Sequence, residues 1–130
     1  LKDKNIIIVN SFGDLLRFYK YALSVFVGKS MVKKLKNDSG QNPIEAAKHG
    51  CKIYHGPFVS NFKDIYDLLK QKKIARQINN AEELYENLVK DLQEGNKETE
   101  KFSDIMTSLS KETEAITMKK INTFLSDASQ

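Results

Sequence analysis

The chain has 130 residues, with 21 Lys+Arg against 17 Asp+Glu, a formal charge of +4 and a pI near 9.1. Charged residues make up 29% and hydrophobic ones 40%, with no Trp, one Cys and two Pro, which excludes wholesale disorder, a collagen-like repeat and a disulfide scaffold. The longest apolar runs, Ile6–Val9 and Val25–Val27, fall far short of the roughly 20 residues that a spanning helix needs. The length suits one domain. The first residue is Leu and no signal-like segment follows it, so the expectation is a piece of a longer protein.

The charge is uneven. Residues 1–94 hold 16 basic and 11 acidic side chains, a balance of +5, whereas residues 95–130 hold 5 and 6, a balance of −1. Only Arg17 and Arg76 are Arg. Readers of nucleic acid lean on the planar guanidinium fork, so a Lys-dominated surface points away from a nucleic-acid partner.

In chain order, Ile6–Val9 is a β-branched run without alternation, which predicts a strand buried on both faces. Residues 11–14 make a turn, and Leu15, Leu16, Phe18, Tyr19, Ala22 and Leu23 recur at helical spacing. Ser24–Gly28 reads as a second buried strand. A polar loop follows, carrying Lys29, Lys33, Lys34 and Lys36 and ending in Asn37-Asp38-Ser39-Gly40-Gln41. Asn42 suits an N-cap and Pro43 a first helical position, so a short helix should reach about His49, with Gly50 as its left-handed stop. Cys51–His55 is a third strand, closed by Gly56-Pro57. A helix over Asn61–Lys72 turns Phe62, Ile65, Tyr66, Leu68 and Leu69 inward. Ile74–Ile78 is a fourth strand, and Asn80 caps a helix through about Leu92 with Leu84, Leu88 and Leu92 on one face. After Gly95-Asn96, one long helix or two should carry Phe102, Ile105, Leu109, Ile116, Ile121 and Phe124.

Strands alternating with helices predict an α/β fold with a mostly parallel sheet of about four strands. Residues 1–94 form this unit and residues 95–130 a helical extension. Such sheets bind ligands at the carboxyl ends of their strands. Three loops rich in Gly, Ser and Asn lie there: 10–14, 28–42 and 56–61.

The stretch from Ser39 to Glu45 is the most informative, and two readings fit it. In one, Gly40 lets the backbone approach a ligand, the start of the next helix holds a phosphate, and Glu45 accepts from two ribose hydroxyls. In the other, the helix is simply capped, with Glu45 reaching back in a capping box. His49 and His55 lack the spacing of a metal site, and Cys51 should pack as a small hydrophobe. Walker A, G-x-G-x-x-G, C-x-x-C and D-x-D motifs are missing from the sequence, which leaves P-loop, redox and metal-dependent readings without support.

Four blocks then stand in register across about residues 6–92: Ser11-Phe12-Gly13-Asp14-Leu15, Phe26-Val27-Gly28-Lys29-Ser30, Ser39-Gly40-Gln41-Asn42-Pro43-Ile44-Glu45-Ala46, and Gly56-Pro57-Phe58-Val59-Ser60-Asn61-Phe62. They resemble the C-terminal domain of the Kdo (3-deoxy-D-manno-octulosonic acid) transferases of lipopolysaccharide synthesis. In that family the blocks read T-x-G-E-L-like, F-V-G-G-S, G-G-H-N-x-x-E-P and G-P-x-x-x-N-F. The resemblance implies part of a GT-B glycosyltransferase, with two Rossmann-like domains, a CMP-Kdo donor between them, and no metal or other cofactor. It implies a lipid A precursor as acceptor, at the cytoplasmic face of a bacterial inner membrane. By matching position, Gly40, Gln41 and Asn42 would sit at the CMP phosphate and Glu45 on the ribose. Ser11, Gly13 and Ser30 would line the nucleotide pocket, with Asn61 at its rim.

The sequence departs from the family at four places: Lys29 for the second Gly, Gln41 for His, Asp14 for Glu and Ala46 for Pro. The family's general base and membrane anchor belong to its N-terminal domain, so no catalytic residue is assigned here and the isolated chain is expected to be inactive. The family's first strands of this domain are also missing before Asn5, which predicts a rearranged sheet edge. The alternative reading is a non-catalytic α/β module that binds a partner through an apolar stripe at Phe102, Ile105, Leu109 and Ile116.

Overall fold

The computed structural model describes residues 5–10, 13–95 and 99–129, by backbone alone at Lys36, Asp38, 99–106 and Leu109. Its strands are β1 (Ser24–Val27), β2 (Lys52–His55) and β3 (Ala75–Gln77), and its helices are α1 (Leu15–Tyr19), α2 (Ile44–Lys48), α3 (Lys63–Gln71), α4 (Ala81–Glu94) and α5 (Thr99–Ala128). Short 3₁₀ segments at Lys33–Asp38 and Ser60–Phe62 precede α2 and α3.

The strands pair in parallel in the order β1-β2-β3, with Val25 opposite Ile53 and Ile53 opposite Ala75. The expected α/β class and parallel sheet are both present. The sheet has three strands among the described residues, however, not four. Residues 6–9 join no ladder, and Ile6 and Ile8 are 83% and 90% exposed. β-branched composition favours a strand only where a partner edge and a packing surface exist, and neither meets this segment. β1 therefore stands at the margin of the sheet among the described residues, with Phe26 exposed.

Alternation along the strands separates two faces. Val25, Val27, Ile53 and Ala75 point toward α2 and α3, where they meet Ala46, Ala47, Tyr66, Leu68 and Leu69 in one core. Burying a side chain such as Leu69 or Ile53 is worth roughly 2–3 kcal/mol each. Cys51 is fully buried in this layer, its thiol 3.3 Å from the carbonyl of Tyr19.

The helix stops follow backbone rules. Gly50 has φ +75°, and the amides of Gly50 and Cys51 donate back to Ala47 and Ala46, closing α2 as a Schellman motif. Lys73 does the same for α3 at φ +61°, with Ile74 donating to Leu69 at 2.9 Å. At the start of α4, Asn80 Oδ1 accepts from the Glu83 amide at 2.8 Å, the expected N-cap.

The opposite face of the sheet is polar. Ser24, Lys52, Tyr54 and Arg76 point toward α4, and the inward residue there is Asp91. Leu92, expected to face inward, is 70% exposed. Leu84, Leu88 and Asp91 share one helical face at i, i+4 and i+7, so the carboxylate takes the third inward position.

The C-terminal extension is one helix of 30 residues, about 45 Å long. It lies against α3, with Lys120 2.8 Å from Asp64, Lys72 3.2 Å from Glu112, and Ile116 packed on the core. The side chains of Phe102, Ile105 and Leu109 fall outside the described residues.

Candidate functional site at the carboxyl edge

The loops that leave β1 and β2 are joined into one hydrogen-bonded shelf. The Ser30 hydroxyl donates to the Val27 carbonyl at 2.6 Å and accepts from the Gly56 amide at 2.9 Å. The Ser30 carbonyl accepts from Phe58 at 2.9 Å. Gly40 donates to the Lys29 carbonyl at 2.9 Å, and Asn61 donates to the Ser39 carbonyl at 3.2 Å. The hydroxyls of Ser39 and Ser60 lie 3.1 Å apart. Residues from three of the four sequence blocks thus converge, although about 30 positions separate the first from the last.

Two glycines are fixed by this convergence. A Cβ on Gly56 would fall 2.2 Å from the Ser30 carbonyl oxygen. Gly40 has φ +82°, and a Cβ there would come 2.9 Å from the Val59 Cα. The close approach that Gly40 permits is to a neighbouring loop, so it shapes the shelf from below.

Each expected site residue can now be placed. Gln41 and Asn42 are exposed on the shelf, with the Gln41 carbonyl held at 2.8 Å by the Tyr66 hydroxyl. The N-cap position expected of Asn42 falls instead to Pro43, and α2 starts at Ile44. Asn42 Oδ1 accepts from the Ile44 amide at 3.0 Å in a turn just before the helix. Glu45 does not complete a capping box. Its carboxylate pairs instead with Lys48 at 2.9 Å and stays half-exposed beside the shelf. Asn61 is exposed at the far side. Ser30 is fully buried with its hydroxyl engaged twice, so it ties the loops together and offers no surface of its own. Gly13, at φ +87°, sits in the exposed turn before α1, and none of the shelf bonds reaches it. Ser11 lies outside the described residues.

Lys29 occupies the family's second-Gly position and adopts φ +56°, the conformation a glycine would take there. That conformation is unfavourable for a residue with a Cβ. The Lys29 side chain is exposed, as are Lys33 and Lys34, so the shelf has a cationic border.

Beside the shelf, between α3 and the ends of β2 and β3, lies a cavity of about 390 Å³ lined by His55, Phe58, Lys63, Tyr66, Lys70 and Gln77, among others. The His55 ring lies 4.5 Å from that of Tyr66, centroid to centroid. Burial pushes its pKa below the ordinary 6.5, against the opposing hydrogen bond to Gly56. Burial likewise raises the Tyr66 hydroxyl well above its usual value. Among the described residues no cluster of three His, Cys, Asp or Glu could hold a metal ion.

Comparison with known proteins adds two relatives. A bifunctional glycosyltransferase/methyltransferase of Fusobacterium nucleatum subsp. nucleatum is 31% identical over 80 residues, 62% of this chain and 12% of the relative. The crystal structure of the C-terminal CMP-Kdo binding domain of WaaA from Acinetobacter baumannii superposes with a TM-score of 0.59. That match covers 79% of this chain and 50% of the other, at 21% identity. The chain shares the α/β fold of about half of that solved domain. No family model matches it. The chain thus spans about half of the solved domain it matches and a small part of the curated relative. The structure adds Asp91, whose only trace in the sequence is its spacing from Leu84 and Leu88.

Proposed function

We propose that this chain is the donor-nucleotide-binding part of a glycosyltransferase that moves Kdo from CMP-Kdo to a lipid A precursor. The observation that carries the reading is the shelf itself. The residues that hold it together belong to the blocks shared with the Kdo transferases, in a fold also adopted by a CMP-Kdo binding domain. In this reading the backbone of Gly40, Gln41 and Asn42 holds the CMP phosphate. With only five residues, α2 lends little dipole, so backbone amides and the Lys29 ammonium supply most of the attraction. Glu45 accepts from the 2′- and 3′-hydroxyls of the ribose once it releases Lys48. Gly13 and Ser11 close the nucleotide pocket, Ser30 holds its floor, and Asn61 borders it.

The same reading places the general base, the acceptor groove and attachment to the cytoplasmic face of the inner membrane in a separate N-terminal domain. None of the described helices is long and apolar enough to cross a membrane. Alone, the chain binds donor without turning it over, and it needs no metal for binding. Calorimetry with CMP and 2′-deoxy-CMP tests the ribose assignment. Wild type should prefer CMP by about tenfold, and Glu45→Gln should erase most of that preference. An undiminished preference in Glu45→Gln contradicts the assignment.

A second reading, a partner-binding module, draws on the far end of α5, where Met118, Ile121, Phe124 and Leu125 are exposed. The packing of Ile116 on the core removes one of the four residues first expected to form that stripe.

A further inference from the structure

We propose that Tyr66 is a positioning residue for the phosphate, a role that rests on the donor reading. Its buried hydroxyl fixes the Gln41–Asn42 peptide so that the Asn42 amide faces outward to receive a phosphate oxygen. Tyr66 stands on α3, 1% exposed, with its ring 4.5 Å from that of His55. Its hydroxyl donates to the Gln41 carbonyl at 2.8 Å. A carbonyl only accepts, and burial keeps the phenol protonated, so the direction of this bond is fixed. The described peptide bonds are all trans, and in a trans peptide the C=O and the following N–H point in opposite directions. A Gln41 carbonyl turned in toward Tyr66 therefore turns the Asn42 N–H out, at a residue that is itself exposed.

The neighbouring amides are less suited to the task. The Gly40 amide donates to the Lys29 carbonyl at 2.9 Å, and the Ser39 carbonyl accepts from Asn61 at 3.2 Å. The Ser39–Gly40 peptide is thus held at both ends and keeps no donor for a ligand. Pro43 has no N–H, and the Ile44 amide donates to Asn42 Oδ1 at 3.0 Å. The amides of Gln41 and Asn42 have no hydrogen-bond partner among the described residues. Neither end of the Gly40–Gln41 peptide is tied, whereas the Gln41–Asn42 peptide is anchored to the core through Tyr66. A donor already aimed at the anion loses less freedom on binding than one that must first be oriented. Removing the phenol oxygen leaves the ring in place and frees this peptide to rotate. The exposed Gln41 carbonyl then finds water, so affinity suffers more than stability.

The test titrates ¹⁵N-labelled wild type and Tyr66→Phe with CMP, cytidine and inorganic phosphate, following backbone amides. In wild type, CMP and phosphate should move the Asn42 amide proton downfield. Tyr66→Phe should bind CMP and phosphate about fivefold more weakly, with cytidine unchanged. Equal losses for CMP and cytidine would make Tyr66 a merely structural residue and overturn its role, as would unchanged CMP affinity in the variant. The donor reading fails separately. CMP shifts at residues 28–30 and at Glu45 that spare Asn42 overturn the positioning role and leave that reading standing. Phosphate shifts at Asn42 that depend on Tyr66, with CMP binding no more tightly than phosphate, support the role and overturn that reading. Shifts with neither ligand overturn both.

Discussion

Lys52 Nζ lies 2.6 Å from Asp91 Oδ1, and this pair holds α4 onto the polar face of the sheet. The carboxylate also accepts from the Tyr54 hydroxyl at 2.7 Å and from Ser24 at 2.6 Å, so its buried charge is met by three donors. Desolvation raises the Asp91 pKa, and the bonds from Lys52, Ser24 and Tyr54 outweigh it to leave a net lowering. The Tyr54 hydroxyl is pushed up to about 12 by burial and then by Asp91. Asp91→Ala should cost about 2–3 kcal/mol in urea denaturation, because it strands the Tyr54 and Ser24 hydroxyls, while Lys52 keeps Glu94 at 3.0 Å. Tyr54→Phe should cost about 1 kcal/mol. Equal costs for the two would mean that Asp91 is not the hub.

The same network and His55 set the pH dependence. His55 has a folded pKa below 6.5, so the unfolded chain binds more protons in that range. Its contribution is complete above pH 6.5 and fades as the pH falls through the folded value. The charged groups that act on it, Lys70 and Asp67, oppose one another, leaving burial dominant. Asp91 follows the same sign lower down, its contribution present above the unfolded value of 3.8 and lost on further acidification. Lys52 is raised, so its share persists below 10.5 and is lost only in strong alkali. Thermal melts should therefore show a first loss below pH 6.5 and a second below about pH 4. His55→Phe, which keeps the stack on Tyr66, should remove only the first.

Backbone strain gives a prediction of opposite sign. Lys29 and Lys73 both hold positive φ, at +56° and +61°. Relieving a left-handed non-Gly residue is worth about 1 kcal/mol. Lys73→Gly should stabilise the chain by that amount, and Lys29→Gly by a similar amount if the loop keeps its shape. Gly56→Ala, by contrast, drives a methyl into the Ser30 carbonyl and should cost about 3 kcal/mol or more. Gly13→Ala meets no neighbouring atom within 4 Å and should cost only about 1 kcal/mol, from φ alone. Denaturation midpoints of the four variants check the order.

The exposed run Ile6–Val9 can be altered without touching the core. Ile8→Lys should leave the melting temperature unchanged within about 0.5 kcal/mol of stability while raising the concentration at which the chain begins to self-associate. A clear loss of stability would show that the run is packed in solution.

Much of this was legible in the sequence where local rules and burial agree. Gly50 and Asn80 stop and start helices as their chemistry demands, and Phe62, Ile65, Tyr66, Leu68 and Leu69 turn inward at helical spacing. Ile6–Val9 misled because composition says that a segment would suit a strand but not that a partner edge is present. Leu92 misled because the inward face of α4 meets Ser24, Lys52 and Tyr54 and not apolar side chains, a matter of tertiary pairing that no single segment reveals. The site blocks could be recognised in order. That Ser30 is a buried tie while Gln41 and Asn42 are exposed follows only from how three distant loops interlock.

In the proposed reading the shelf binds the donor nucleotide. Titration of the ¹⁵N-labelled chain with CMP, read through backbone amides, tests it most directly. Binding at the shelf should move the amides of residues 28–30 and 39–45 and of Asn61, together with those of Gly13 and Asp14, and leave the far end of α5 still. Saturable shifts that avoid those residues, or none at millimolar CMP, would contradict it.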